Sequence, residues 1–386
     1  MSSRAEVVIV GGGAIGCSIA YHLGKQGVPS QIIERDAIAS QASGKAWAVM
    51  SAPASIVLFW EGIYMPKGSM WPSFPLFEEG LRRFPELAPE LKAEGGIDIQ
   101  YSELPAIRVV SQEDEEKHLK QQVFELAEKG FQVSWIDEYE VRVRYPDVTP
   151  GVRGAVFLPG HQVEPYRYVL GLFQAAEAKG ASMKQGEAVG LRYQGSRVMA
   201  VTLATGEVEA DVVVLAMGPW NKQSCSWLGK ELPSRVRRAE CLRVEVPQRL
   251  PPYRIYNAHG VIVPKVDGTV VLAAQRENHP DEVDFDDRPT EEAKNTIIEA
   301  TVDLVPGLIE AKLVEHRSAL LDRQPNGGLP MMGQVPGWDN VYLATWMGGF
   351  GIMWSPAVGR IIADLIVKGC TEDYIELLSP ARLIPG

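Results

Sequence analysis

Three glycines and one glutamate near the N-terminus carry the clearest chemical signal in the chain. An apolar run at residues 7–10 is followed by Gly11, Gly13 and Gly16 in the spacing G-x-G-x-x-G. In this motif the first glycine permits a tight turn, the second lets the backbone approach a pyrophosphate, and the third lets a helix pack close to the strand. Glu34 could accept hydrogen bonds from both ribose hydroxyls and would repel a 2′-phosphate. The pattern therefore predicts a site for a dinucleotide with a free ribose, either FAD or NAD.

The elements that position these residues are predicted to be a strand, a helix and a second strand. A short continuous apolar run such as residues 7–10 is typical of a strand buried on both faces of a parallel sheet. A helix is expected over residues 14–26, with Gly27 as its C-cap, and its N-terminus would direct free N–H groups toward the phosphates. A second strand over residues 31–33 would end at Glu34.

The loop after the second strand is rich in small residues. Ser40, Ser43, Gly44 and Lys45 could line a phosphate and a ribityl chain, or they could form an ordinary solvent-exposed loop. Trp47 could face a ring system or fill a core.

A second glycine-rich turn occurs near the C-terminus. Residues 341–344 are predicted to form a strand, after which Gly348, Gly349 and Gly351 open a helix that runs to Lys368. The positive end of this helix could stabilise negative charge on a ring or its carbonyl. The alternative is an ordinary strand–turn–helix connection, since glycine also suits tight turns.

Composition narrows the class of protein. The chain has 386 residues and a net charge of −11, which argues against nucleic acid or an anionic membrane as a partner. The four cysteines show no C-x-x-C spacing, so neither a metal site nor a disulfide framework is expected. No apolar stretch is long enough to span a membrane, and a cytoplasmic enzyme with reduced thiols is the expectation.

The order of elements predicts an α/β protein with two units. An apolar strand over residues 207–215 ends in small residues, as expected at the ligand-facing edge of a parallel sheet. Residues 235–247 and 260–274 are predicted to form strands of an antiparallel sheet, with Asp267 and Gly268 in a turn. We expect an FAD-binding Rossmann-like domain from residues 1–47, 150–221 and 320–386. A second α+β domain, built on the antiparallel sheet, would comprise residues 48–149 and 222–319.

These motifs together resemble the D-amino-acid-oxidase-like flavoenzymes, a group that includes glycine oxidase, sarcosine oxidase and D-arginine dehydrogenase. The chain shows, in the same order, the dinucleotide motif, a Ser-x-x-Ser-Gly-Lys loop, V-E-P at residues 163–165, A-x-G-P-W at residues 216–220, and a C-terminal G-G-x-G turn. The resemblance spans essentially the whole chain.

The resemblance implies FAD as the cofactor and a set of residues that hold it. The ADP half would contact Gly11, Gly13, Ala14, Ile15, Gly16, Glu34 and Arg35. The pyrophosphate and the flavin side would contact Ser43, Gly44, Lys45, Ala46 and Trp47. Val189 would clamp the adenine with its backbone, and Gly218 and Trp220 would touch the cofactor. The pyrimidine edge of the flavin would meet Gly349, Phe350, Gly351, Ile352 and Met353. The segment at residues 318–333 lacks the cysteine that binds flavin covalently in the sarcosine-oxidase branch, so noncovalent FAD is expected.

The chemistry implied by the resemblance is oxidation of a C–N bond in a primary or secondary amine, such as an amino acid or an N-substituted amino acid. An unprotonated amine would give a hydride equivalent to flavin N5, and the imine would hydrolyse. Two alternatives stay open: an FAD-dependent dehydrogenase of a hydroxy acid or polyol, and a flavoprotein subunit of a hetero-oligomeric amine dehydrogenase. The sequence leaves open whether the chain forms a homo-oligomer or binds a partner subunit. The apolar segment at residues 60–71 could be part of the core, a cover over a pocket or an interface.

The substrate side departs from the family pattern. The position where glycine oxidase and D-arginine dehydrogenase carry a carboxylate-binding arginine holds Asp322, and Arg323 is one residue away. Either Arg323 binds the carboxylate, or this position has no carboxylate clamp and Asp322 suits a cationic substrate. Tyr253, Tyr256 and His259 are the other pocket candidates, and Tyr256 and His259 are also catalytic candidates, although a lone histidine is more often structural. Lys265 is expected at the surface.

Overall fold

The protein was analysed as a computed structural model that describes residues 3–51, 53–59, 71–274, 285–323, 329–370 and 373–382. The strands are β1 Ser3–Val10, β2 Ser30–Glu34, β3 Val49–Ser51, β4 Ser102–Glu103, β5 Ala106–Val110, β6 Ser134–Asp137, β7 Gly154–Leu158, β8 Gly160–Gln162, β9 Ser182–Gln185, β10 Ala188–Gln194, β11 Arg197–Leu203, β12 Gly206–Leu215, β13 Arg235–Glu245, β14 Arg254–Tyr256, β15 Gly260–Pro264, β16 Val270–Ala274, β17 Lys312–Arg323, β18 Met331–Gln334 and β19 Val341–Thr345. The helices are α1 Ala14–Lys25, α2 Ala42–Lys45, α3 Ala54–Phe59, α4 Phe74–Gly95, α5 Glu113–Glu128, α6 Glu138–Arg144, α7 Pro165–Glu177, α8 Asn221–Trp227, α9 Glu291–Leu304 and α10 Gly351–Lys368.

The first sheet has a parallel centre. Its strands follow the order β10-β11-β12-β1-β2-β9, and β19 lies beside the end of β12, with β18 beside β19. Strand β1 pairs in parallel with both β2 and β12, so Val10 lies between Ile33 and Leu215. The three carboxyl ends therefore meet at one edge, where a parallel sheet binds its ligand. This confirms the predicted α/β fold with a Rossmann-like unit.

Helices α1 and α10 cross on this sheet at very short range. A Cβ on Gly359 of α10 would approach the carbonyl oxygen of Ser18 of α1 to 2.8 Å. The Ser18 hydroxyl donates a hydrogen bond to the carbonyl of Ser355 at 2.6 Å, and Tyr168 of α7 forms a hydrogen bond with the Ser355 hydroxyl at 2.7 Å. The crossing fixes the N-termini of α1 and α10 relative to each other.

Helix α4 contains two prolines, Pro85 and Pro89, in the segment assigned to the second domain. A proline inside a helix usually kinks or breaks it. The structure has one continuous helix, whose buried Phe77 and Phe84 pack in the same core as α1 and α10. Packing of this apolar face outweighs the two prolines, and α4 contributes to the nucleotide-binding half of the molecule.

The second sheet forms the opposite wall of the molecule. Its order is β17-β13-β16-β15-β14-β5-β7-β6, and its pairs are antiparallel except for β14 with β5. Leu242, Ile262 and Leu272 on one face pack against Ile297 of α9. Cys241 and other residues of the opposite face pack with Trp47 and Val49 of the first unit. The predicted second unit on an antiparallel sheet is confirmed.

One strand lies in a different unit from the one predicted. Residues 150–221 were assigned to the nucleotide domain, but β7 pairs with β5 and β6 in the antiparallel sheet. Strand pairing between distant segments is not visible in local sequence, and the remaining domain boundaries stay predictions. Within the described ranges, the helices are too short or too polar to cross a lipid bilayer.

Candidate active site

A cavity of about 410 Å³ lies between the carboxyl edge of the parallel sheet and the antiparallel sheet. Both glycine turns line it, although they are more than three hundred residues apart in the chain. Among the residues predicted to bind the cofactor, those that line this cavity are Gly11, Gly13, Ala14, Ile15, Glu34, Arg35, Ser43, Lys45, Ala46, Trp47, Gly218, Trp220, Gly349, Phe350, Gly351, Ile352 and Met353.

Three of the predicted cofactor residues do not line the cavity. Gly16 lies behind the turn, where a Cβ would collide with the carbonyl of Gly11, so its function is close packing of α1 on β1. Gly44 packs in the same way against Ala39 in the loop that carries Ser43. Val189 is 44% exposed, and the preceding residue Ala188 lines the cavity in its place. The predicted contact of the adenine with the Val189 backbone stays a prediction.

The first turn has a geometry that only glycine tolerates. Gly11 has a φ of +113°, and a Cβ there would lie within 2.9 Å of the carbonyl carbon of Ala216. A Cβ on Gly13 would reach the Ser43 hydroxyl at 3.0 Å, and that hydroxyl already accepts a hydrogen bond from the N–H of Ala14. The start of α1 thus meets the cavity with backbone rather than side chains, as anion binding at a helix N-terminus requires.

The Glu34 carboxylate is held at the edge of the cavity by backbone amides. It accepts hydrogen bonds from the N–H of Gly12 at 2.7 Å and from the N–H of Asp36 at 2.9 Å, one on each oxygen. Each carboxylate oxygen has a further lone pair for a hydroxyl donor. At the same end of the cavity, the guanidinium of Arg35 lies 4.9 Å from the ring of Trp220.

The C-terminal turn is stabilised by a buried acid. Trp346 and Gly348 have positive φ values of 59° and 51°. The carboxylate of Asp322 accepts hydrogen bonds from the Thr345 hydroxyl and the Trp346 N–H, both at 2.7 Å. Burial raises the pKa of Asp322, and these hydrogen bonds oppose that rise. Asp322 is therefore committed to the turn that leads into α10, which argues against the alternative that it binds a cationic substrate.

The side of the cavity formed by the antiparallel sheet carries three arginines beside the acids Glu240 and Asp322. Arg237, Arg254 and Arg317 line it, together with Lys45 from the first unit. Lys45 donates to the carbonyl of Ser318 at 2.9 Å, and Arg317 forms an ion pair with Glu315 at 2.7 Å. The sequence-based reasoning did not identify these three arginines. A signal was available for Arg237, since charged residues interrupt the strand at 235–245, whereas a core strand is apolar.

The structure places the three predicted catalytic residues in different surroundings. His259 is exposed and does not line the cavity, because it lies in the turn between β14 and β15, so the structure does not support a substrate role for it. Tyr256 is buried behind the cavity wall, with its ring 4.7 Å from the guanidinium of Arg254. The backbone of Arg323 pairs with Arg235 in the sheet, but its side chain lies outside the described residues, so its role stays a prediction.

The surface assignment of Lys265 is wrong. Its side chain is buried, and the ammonium donates to the carbonyls of Trp47 at 3.1 Å and Val163 at 2.7 Å. Burial lowers the pKa of Lys265 to about 8, and the carboxylate of Glu164 opposes this. The lysine joins two loops of the nucleotide-binding unit to the antiparallel sheet. Most of the segment at residues 60–71, proposed as core, cover or interface, lies outside the described residues.

Comparison with known proteins agrees with this architecture. A family model described as FAD dependent oxidoreductase matches residues 6–365. The chain belongs to this family of FAD-dependent oxidoreductases. Its relatives include glycine oxidase of Bacillus licheniformis, 26% identical over 99% of this chain and 98% of that protein. Another relative, glycine oxidase of Geobacillus kaustophilus, is 28% identical over 95% of this chain and 94% of that protein. The crystal structure of the Geobacillus kaustophilus enzyme superposes with a TM-score of 0.85 at 26% identity, covering 95% of each chain.

The cavity of this FAD-dependent oxidoreductase fits its cofactor. The side-chain-free edge at Gly11 and Gly13 leaves room for a pyrophosphate at the start of α1, and Glu34 offers acceptors for ribose hydroxyls. Gly349 and Gly351, at the N-terminus of α10, line the same cavity. FAD as cofactor and the enzymatic class are thereby confirmed predictions, while the roles of individual residues stay predictions.

Noncovalent attachment of FAD also stays a prediction, and one observation supports it. Cys241 is the cysteine among the described residues that line the cavity. Burial raises the pKa of its thiol to about 12, so it is held as the thiol rather than as the reactive thiolate.

Proposed function

We propose that this FAD-dependent oxidoreductase oxidises the C–N bond of a primary or secondary amine, such as an amino acid or an N-substituted amino acid. The observation that carries the proposal is the likeness to glycine oxidases over essentially the whole length of the chain, including the sheet that forms the substrate side of the cavity. The three arginines of that side support an acidic amine as substrate.

Each half of the chain would have a distinct part in this reaction. Bound FAD supplies the acceptor for the two electrons of the C–H bond next to nitrogen. The turn at Gly11 and Gly13, with Glu34, would bind and orient the nucleotide end, and the N-terminus of α10 would place positive potential at the other end. The antiparallel sheet would exclude water and hold the substrate against the cofactor.

The described cavity wall favours a mechanism without a side-chain base. Among the described lining residues there is neither a histidine nor a tyrosine. The lining carboxylates of Asp322 and Glu34 are engaged by backbone amides. That of Glu240 accepts from Thr290 and pairs with Arg238, and Glu187 is exposed. An amine that loses its proton to solvent before it binds would need no base in the protein, and the resulting imine would hydrolyse in water to a carbonyl compound.

The test is anaerobic reduction of the holoenzyme. The yellow protein is mixed with D-, L- and N-methyl amino acids, betaines and opine-like conjugates, and the flavin absorbance is followed. Bleaching that yields ammonia or an amine, together with a carbonyl compound, is the expected result. Reduction by hydroxy acids or polyols with a ketone or aldehyde as sole product would overturn the proposal in favour of the alcohol-oxidising alternative.

A further inference from the structure

Arg254 differs from the other cations of the cavity in its surroundings. It begins β14, lines the cavity, and donates from Nη1 to the hydroxyl of Ser51 at 2.7 Å. Its Nε is buried and has no hydrogen-bond partner among the described residues, a feature that it shares with Nη1 of Arg317. Burial lowers the pKa of Arg254, and the interactions that oppose this come from Tyr256 and not from a carboxylate. The structure thus contains a half-buried guanidinium without a carboxylate partner in its described surroundings.

Three other lining cations have their partners within the protein. Arg35 contacts Asp36 near the nucleotide end at 3.3 Å. Lys45 donates to the Ser318 carbonyl, and Arg317 pairs with Glu315. A buried charge is costly unless it is paired and hydrogen-bonded, so a guanidinium such as Arg254 is expected to meet an anion that enters the cavity.

The location of Arg254 agrees with a substrate contact rather than a phosphate contact. Ser51 is the last residue of β3, directly after the cavity-lining segment that contains Trp47 and Val49. That segment packs against the antiparallel sheet. The family position for a carboxylate-binding arginine is occupied by Asp322, which holds the C-terminal turn.

We propose that Arg254 binds the carboxylate of the substrate, with Ser51 fixing the orientation of its guanidinium. The substrate class is then an amine that carries a carboxylate within reach of β14, rather than an uncharged or cationic amine. The Nη1–Ser51 hydrogen bond fixes the guanidinium and uses one Nη1 hydrogen, so the second Nη1 hydrogen and Nη2 would meet the carboxylate as a bidentate fork. This inference rests on the proposed function for the identity of the reacting amine.

The test measures binding apart from turnover. Holoenzyme is titrated with acetate and glycolate, which carry a carboxylate and no amine, and with uncharged acetamide, while the flavin spectrum reports occupancy. Arg254→Gln should raise the dissociation constants of acetate and glycolate by about 30-fold or more. The dissociation constant of acetamide should change by no more than about twofold. Arg254→Lys keeps the charge but loses the fork, and is expected to recover only part of the affinity. Arg249→Gln, at an exposed arginine near the same sheet, is the matched control and should bind like wild type.

The outcomes separate this inference from the proposed function. FAD content and melting temperature of each variant show whether it is folded, and Ser51→Ala, which keeps the charge, should raise the carboxylate dissociation constant by about three- to tenfold. Unchanged carboxylate binding in folded Arg254→Gln, or a loss seen instead in Arg237→Gln or Arg323→Gln, would overturn the assignment. If carboxylates bind through Arg254 but no amine reduces the flavin, the proposed function fails and the anion site stands. If amino acids reduce wild type and Arg254→Gln with the same KM, the anion site fails and the proposed function stands.

Discussion

The crossing of α1 and α10 predicts that Gly359→Ala is destabilising, although helix propensity alone predicts the opposite. Alanine in a helix interior is favoured over glycine by about 1 kcal/mol. At Gly359, however, the added Cβ would approach the Ser18 carbonyl oxygen to 2.8 Å, about 0.6 Å closer than the 3.4 Å of ordinary van der Waals contact. It would also collide with the Ser18 hydroxyl, which donates to Ser355.

The steric cost of the contact with Ser18 should exceed the gain in helix propensity. Overpacking a tight interface typically costs about 1–3 kcal/mol, and displacing the Ser18 hydrogen bond costs about 1 kcal/mol more. After the gain in propensity, a net loss of about 1–3 kcal/mol is expected. Because both helices begin at the cavity, separating them should also weaken FAD binding. If the substitution makes the free energy of FAD binding less favourable by 1 kcal/mol, the dissociation constant rises about 5-fold.

The assay compares apoprotein melting temperatures and FAD dissociation constants for wild type, Gly359→Ala and Gly307→Ala. Gly307 has an ordinary φ and no atom within 4 Å of a built Cβ, so its replacement controls for the loss of glycine itself. A Gly359→Ala protein that melts at or above the wild-type temperature and binds FAD equally well would refute the claim that this crossing aligns the two cofactor-binding turns.

Three further variants test other contacts of the site. Asp322→Asn converts an acceptor oxygen beside the backbone N–H of Gly348 into a donor. FAD affinity should therefore fall about 10-fold or more in a titration of the apoprotein. An unchanged dissociation constant would contradict the role given to this acid. Glu34→Gln removes one of the two acceptors for the backbone amides of Gly12 and Asp36, and should weaken FAD to a similar extent, with wild-type affinity as the contrary result. Burial lowers the pKa of Lys265 to about 8 from an ordinary 10.5, so the folded chain releases this proton first as pH rises. The free energy of unfolding of wild type should therefore increase between pH 8 and 10.5, by up to about 3 kcal/mol, and Lys265→Met should lack that increase when melting temperatures are compared across this range.

The nucleotide-binding half could be predicted because its determinants are local. The glycine spacing, the apolar strand before it and Glu34 after it lie within one short segment, and each residue type has a single geometric reason to be there. The C-terminal turn at Gly349 and Gly351 was predicted for the same reason. Sequence could not show that both turns open onto one cavity, since this depends on the packing of α1 against α10.

The substrate side could not be predicted because its determinants are long-range. Lys265 looks like a surface residue until the carbonyls of Trp47 and Val163, from two distant loops, are found around its ammonium. Arg254 gives no local signal, since its environment is formed by Ser51 and by the next strand of a sheet that joins five separate segments of chain. The departure at Asp322 was visible in the sequence, but its consequence was not, because the hydrogen bonds to Trp346 are a tertiary contact.

The position of Asp322 explains why a substrate carboxylate would be bound at a distance from it, at Arg254. A carboxylate that stabilises the strained turn at Trp346 places an acidic group close to the cavity, where a substrate carboxylate bound nearby would be repelled. An acidic substrate therefore needs its anchor at a distance from this turn, and β14 lies three strands away from β13 and four from β17 in the antiparallel sheet. Because Asp322 stabilises the turn before α10, the conformation of this turn does not require bound substrate. Cofactor binding and substrate recognition would then depend on different residues, which is why the variants at Asp322 and Arg254 are expected to alter FAD affinity and carboxylate affinity separately.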